Sequence, residues 1–352
     1  MVIGTRRPGG ARLPAPAAPA TGLLVAGLLA SGCEGSQGSR LSSLQEGGPF
    51  PFVRCLAQAA GSARRWSLGS LHFTLRDRVL RIEGVPVPSR LAVYSGPAFG
   101  DRGLEQGLRA VRSARPDLAL QVGGPGDTPE LAERVLALAA QGEFPTLVLA
   151  GARDRWDGFA RAARTLGPQA RARLVDISSL RAIRLGRHTL VPVAGAVAGR
   201  YALHDEACGA SARDLAAITA RLGFPEPKER RWLLAWQAPS GAGRFAVAAT
   251  ERGLNAGSSA LASLSAAIGA RGGLFAWPHH QVGRPAAGAG EQRPDPGQAA
   301  SDLRVVVPRI AGASMVRDDG TRLAPGFLVL RLDSEGLAIE SVLRSDASQT
   351  RI

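Results

Sequence analysis

The sequence predicts an α/β fold built on a parallel or mostly parallel sheet. Three successive units carry that expectation, each made of a short apolar run, a glycine-containing turn and a segment with helical spacing of apolar residues. A strand that ends in a glycine turn where a helix begins is also where open α/β sheets place ligands and chemistry. The third unit, Phe144 to Asp157 (FPTLVLAGARDRWD), states the pattern most compactly. Thr146 to Ala150 reads as a buried strand, Gly151 ends it, Ala152-Arg153-Asp154-Arg155 makes a polar turn, and a helix opens near Trp156.

Taken in order, Leu71 to Leu75 and Val79 to Ile82 alternate as strands do and are closed by Gly84, Pro86 and Pro88, as in a hairpin flanking the main sheet. Arg90 to Tyr94 is the first strand of the main body, followed by Ser95-Gly96-Pro97 and a helix over Gly103 to Ser113. Leu118 to Val122 is the second, followed by Gly123-Gly124-Pro125-Gly126-Asp127 and a helix with Thr128 as N-cap and Pro129 at its first position. After the opening unit come short strands at Leu174 to Ile177 and Ala182 to Leu185, and an apolar strand over His188 to Val197. A helix within Asp205 to Leu222 has Ser211 as its N-cap, and Arg231 to Trp236 (RWLLAW) is a buried strand ending at Gln237. A helix at Ser258 to Ile268 and a strand at Gly273 to Trp277 precede a Pro/Gly-rich stretch, 283–300, expected to be a mobile loop. Leu303 to Val307, Gly326 to Leu332 and Leu337 to Val342 are expected to form a second, antiparallel sheet, with Asp333-Ser334-Glu335-Gly336 as a hairpin turn.

The chain of 352 residues, 45% of them hydrophobic, is long enough for a sizeable core. Its formal net charge of +14 invites a nucleic-acid partner, yet Lys228 is the only lysine and the arginines are scattered singly among Ala, Gly and Leu, without a basic run interleaved with aromatics. No nucleic-acid partner is expected. The N-terminus carries Arg6, Arg7 and Arg12, then the apolar run Thr21 to Ala30, too short to span a bilayer, then Ala30-Ser31-Gly32-Cys33. That order resembles a bacterial lipoprotein signal with Cys33 as the lipidated residue, which implies attachment to the membrane through an acyl anchor. The expected organisation is a signal over 1–33, a Ser/Gly-rich tether over 34–49, an N-terminal strand region over 50–89 and the main domain over 90–352. The expected location is the bacterial cell envelope, facing the periplasm or on the outer membrane. Cys55 and Cys208 are a candidate disulfide, and their pairing stays open.

From about Arg90 to the C-terminal strands the chain resembles the calcineurin-like metallophosphoesterases, most clearly where Gly151-Ala152-Arg153-Asp154 stands in place of the family's G-N-H-D or G-N-R-D block. The resemblance implies a four-layer α/β sandwich, two mixed β-sheets packed face to face with helices outside. It also implies where metal ligands belong: in the family they lie in D-x-H, G-D, G-N-H/R-D, a lone His, and G-H-x-H, and a pair of cations activates the attacking hydroxide. Here Gly96 and Ala98 stand at the first Asp and His, Gly124 at the bridging Asp, Ala152 at the Asn and Gln237 at the lone His. The last block, Trp277-Pro278-His279-His280-Gln281, retains two histidines in an ambiguous register.

Gly and Ala have no donor atoms, so a usual bimetal site is not expected. Arg153 takes the position of the family's general acid, and Asp154 that of the carboxylate that orients it. As a pair they hold an anion or pin the turn. The resemblance thus implies a binding or scaffold protein with a vestigial cleft and no cofactor, acting on an unknown ligand or envelope protein. The alternative is an active phosphoesterase with a reduced or rearranged site, one divalent metal resting on His279 and His280 with Asp127 or Asp154. His188 and His204 are expected to be structural, and Trp232, Trp236 and Trp277 to pack at strand ends. Neither GAVAG at Gly195 to Gly199 nor Gly123 to Gly126 makes a nucleotide fingerprint, and Ser240 lacks a nucleophile elbow.

Overall fold

The computed structural model describes residues 63–97, 102–124, 126, 128–154, 156–197, 209–240, 257–276, 285–287, 303–311, 315–316, 322–323, 325–344 and 349–350. Two large mixed sheets face each other. The first has nine strands: β1 (Arg64–Leu68), β2 (Leu71–Arg76), β3 (Val79–Glu83), β8 (Ala182–Leu185), β9 (His188–Val193), β12 (Arg230–Ala235), β13 (Ala270–Phe275), β15 (Leu303–Val306) and β14 (Pro285–Ala287), in that spatial order. The second has seven: β20 (Gln349–Thr350), β19 (Leu337–Arg344), β18 (Gly326–Leu332), β4 (Ser89–Tyr94), β5 (Leu118–Val122), β6 (Thr146–Leu149) and β7 (Leu174–Asp176). Two-residue pairs link β10 (Ala196–Val197) to β11 (Gly209–Ala210) and β16 (Met315–Val316) to β17 (Arg322–Leu323).

Strands β4 to β7 run parallel in sequence order, as their uninterrupted apolar runs predict, because helices cover one face and the other sheet covers the opposite one. On β4 the pleat alternates accordingly. Leu91 and Val93 join the large core that contains both sheets, while Ala92 and Tyr94 pack with Leu104, Leu108 and Val111 of helix α1 (Leu104–Ser113). Helix α2 (Pro129–Ala139) starts at Thr128, whose Oγ1 accepts from the Leu131 N–H at 3.2 Å. Helices α3 (Trp156–Thr165) and α4 (Pro168–Arg173) follow β6. On the other side, α5 (Ala212–Leu222) begins with a reciprocal capping box between Ser211 and Asp214, and α6 (Ser259–Ala267) with Ser258. The result is the four-layer sandwich of two mixed sheets with helices outside. No helix among the described residues is long and apolar enough to cross a membrane.

The expected separate antiparallel sheet does not form. β15 joins the nine-stranded sheet parallel to β13, whereas β18 and β19 extend the seven-stranded sheet antiparallel from β4. The cause is burial: Phe327, Leu328, Val329 and Leu330 are all solvent-free, and only a central position in a large sheet covers both faces of such a strand. The hairpin turn at Asp333 does form, its Oδ1 accepting from the N–H groups of Glu335 and Gly336. Within 283–300, Pro285–Ala287 is the edge strand β14, paired antiparallel with β15; the rest of that stretch lies outside the described residues.

Candidate functional site: the joined strand ends

The C-terminal ends of the parallel strands of both sheets meet at one end of the sandwich. The Gly195 N–H, just past β9, donates to the Ala150 carbonyl just past β6 at 2.9 Å. After β15 the segment Val307 to Ala311 crosses from one sheet to the other. The Val307 N–H donates to Phe275, Ser95 donates to Pro308, Ile310 donates back to Ser95, and Gly326 donates to Arg309. Gly96, Gly124, Ala152 and Gln237 all stand in this region.

The glycine loops touch backbone to backbone. The Gly96 N–H donates to the Gly123 carbonyl at 3.0 Å, and a Cβ on Gly96 would fall on the carbonyl oxygen of Gly124. The Trp236 ring, 8% exposed, lies against Gly123 and Gly151, where added Cβ atoms would run into it. Glycine at these turns is therefore a packing requirement.

Asp154 joins the same loops. It is 1% exposed, and its carboxylate accepts from the N–H of Gly124 at 2.7 Å, of Gly126 at 3.2 Å and of Gly151. Three amide donors on one carboxylate replace its lost hydration and pin the β5 and β6 loops together. Gln237 is equally buried and accepts through Oε1 from the Val197 N–H at 3.3 Å.

Two groups not singled out in the sequence belong here. Arg309 lies beside Ser95 across a parallel bridge, and its guanidinium is held below its ordinary value first by burial and then by the positive charge of Arg153. Two cations thus sit within electrostatic reach of each other at the strand ends. Asp176, at the end of β7, is buried, and loss of solvent raises its carboxyl to about 6 in spite of hydrogen bonds with Ser178. Ser178 passes that link on by accepting from the Ala150 N–H at 2.9 Å. An aspartate inside the apolar run LVDI was a readable signal for Asp176. Nothing in VVVPRI marked Arg309.

A pair of metal ions does not fit the described residues. Gly96, Gly124 and Ala152 bring no side-chain donors, the Asp154 oxygens hold amide protons, and the Gln237 oxygen holds another. Among the described residues no group of three His, Cys, Asp or Glu is placed to hold a metal ion. Ala98, Asp127, His204, His279, His280, Cys33, Cys55 and Cys208 lie outside the described residues.

No family model matches the chain, and no characterised protein matches it by sequence. Solved structures resemble it in fold. One is TT1561 of Thermus thermophilus, at 15% identity and a TM-score of 0.47, over 72% of this chain and 98% of that one. Another is GAP50, described as the anchor in the inner membrane complex of Plasmodium, at 10% identity and a TM-score of 0.43, over 76% and 87%.

Proposed function

We propose that this chain is a binding or scaffold protein of metallophosphoesterase-like descent that has given up two-metal hydrolysis. The observation that carries the proposal is the closure of the strand ends: the Asp154 carboxylate is spent on three backbone amides, and the Gly124 backbone occupies the space that a side chain at Gly96 would need. Arg153 and Arg309 give the region a positive rim, which suits a ligand with an acidic group. In this proposal the body is held at the cell envelope by a lipid on Cys33.

The test is metal content and turnover of the full-length protein after exposure to Mn²⁺ and Zn²⁺. The expected result is no stoichiometric metal and no hydrolysis of bis(p-nitrophenyl) phosphate. Metal-dependent hydrolysis abolished by His279→Ala or His280→Ala would establish the rival, a phosphoesterase with a rearranged site. Anchoring is tested by metabolic labelling with an alkynyl fatty acid, expected to mark the protein and to vanish in Cys33→Ser.

A further inference from the structure

The arginines that look scattered in the sequence are brought together on one sheet face. On the outer face of the nine-stranded sheet the register aligns Arg65 with Thr74, Thr74 with Arg81, Arg81 with Arg184, Arg184 with Thr189 and Thr189 with Arg231. Over β9 and β12 this row is covered, because Arg231 bonds to the C-terminal carbonyls of α5 and α6. Over β1, β2, β3 and β8 it is open. An open groove of about 880 Å³ lies there, bordered by Arg221 and Leu222 at the end of α5.

Five arginines line this groove, Arg65, Arg76, Arg81, Arg184 and Arg221, against two carboxylates, Asp77 and Glu83. Asp77 is shared by Arg76 at 3.6 Å and Arg221 at 3.3 Å, and Glu83 reaches Arg81 at 3.8 Å. Exposed pairs of this kind hold their partners weakly. The side chains of Arg65 and Arg184 have no ion pair or hydrogen bond among the described residues. Arg81 and Arg184 stand directly opposite each other on neighbouring strands about 4.8 Å apart, a like-charge pairing that costs the sheet free energy unless an anion neutralises it.

The geometry points to a binding site for an oligophosphate, a soluble ligand with several linked phosphate groups, laid along the row Arg65–Thr74–Arg81–Arg184. Guanidinium forks match phosphate oxygens in pairs, and the Thr74 hydroxyl lies in register between Arg65 and Arg81. The row spans three strand spacings, roughly 14 Å, and the groove has the volume of a small-molecule site. A membrane surface fits less well, since the large exposed apolar side chains among the described residues, Val87 and Phe224, do not line the groove. Single-stranded nucleic acid would need outward aromatic platforms, whereas Trp66 stacks on the buried Phe73.

The probe is inorganic tripolyphosphate with the full-length protein, read as the rate at which phenylglyoxal modifies each arginine, resolved by mass spectrometry. At a concentration ten times its Kd the probe should slow modification of Arg81 and Arg184 about tenfold, relative to chloride at equal ionic strength, and leave Arg109 on α1 unaffected. The double variant Arg81→Gln/Arg184→Gln, its fold checked by circular dichroism, should weaken tripolyphosphate binding at least about tenfold. Equal rates with and without the probe, equal protection of Arg109, or unchanged affinity in the double variant would each overturn the proposal. Because the readout is site-resolved, it stands or falls independently of what the strand ends bind.

Discussion

Arg231 and Arg184 stand on one cross-strand row, two strands apart, in opposite surroundings. Arg231 is 2% exposed and donates to the carbonyls of Leu222, Gly223, Phe224 and Ile268 and to the Glu229 carboxylate. Arg184 is exposed and faces another arginine. Where helices cover the sheet, their unsatisfied C-terminal carbonyls and partial negative charge turn a cation into a fastener. Beyond the helices the same residue type in the same row is left with its charge available to solvent and ligands. One buried polar group elsewhere, His188, follows the first pattern. His188 accepts the Trp232 indole N–H on Nδ1 at 3.1 Å, which leaves its Nε2–H to donate to the Asp333 carbonyl at 2.7 Å.

Removing the fastener should have the largest effect. Arg231→Met strips two helix ends of their donor and strands Glu229, and a loss of about 3–5 kcal/mol is expected in urea denaturation. Asp154→Asn comes next, at about 2–4 kcal/mol, because an amide turns its own N–H donors toward backbone donors. Asp176 goes the other way. Its folded-state value of about 6 against an ordinary 3.8 means that the native state holds a proton more tightly, so stability present below about pH 4 is lost as pH rises through 6. Asp176→Asn should abolish that slope and raise stability at pH 7 by about 2–3 kcal/mol.

His188 slopes in the opposite sense. Burial lowers its value below the ordinary 6.5, so its contribution is present above that pH and fades as pH falls through the folded value. His188→Phe should remove that acid sensitivity and cost about 1–2 kcal/mol at neutral pH by orphaning the Trp232 N–H. Urea midpoints measured from pH 4 to 8 in the Asp176 and His188 variants separate the two slopes. The smallest effect belongs to the open half: Arg184→Gln should change stability by less than about 0.5 kcal/mol. A large loss there would mean that the two halves of the row are alike after all.

The contrast also shows what one chain of letters reveals. Buried parallel strands are continuous apolar runs stopped by glycine, so β4, β5, β6 and β12 could be placed to within a residue or two, and the caps Thr128 and Ser211 follow from local hydrogen bonding. Gly96, Gly124, Ala152 and Gln237 were legible as one cluster through the resemblance of their loops. The hydrogen bonds that close the cluster were not, since Asp154 reaches amides on another strand's loop. Arg309 was hidden for the same reason, being brought to β4 by a crossing segment. The arginine row was the least visible, because residues 65, 81 and 184 become neighbours only through strand register.

The contact between Gly96 and Gly124 bears on reversibility. A side chain restored at position 96 would strike the carbonyl of the facing loop before reaching any solvent or ion. That loop is itself tied down by Asp154. No single substitution at 96 can put a coordinating group back, because the facing loop would have to withdraw at the same time. For the lineage proposed above, the way out of metal chemistry could be taken one residue at a time, while the way back demands at least two concerted changes.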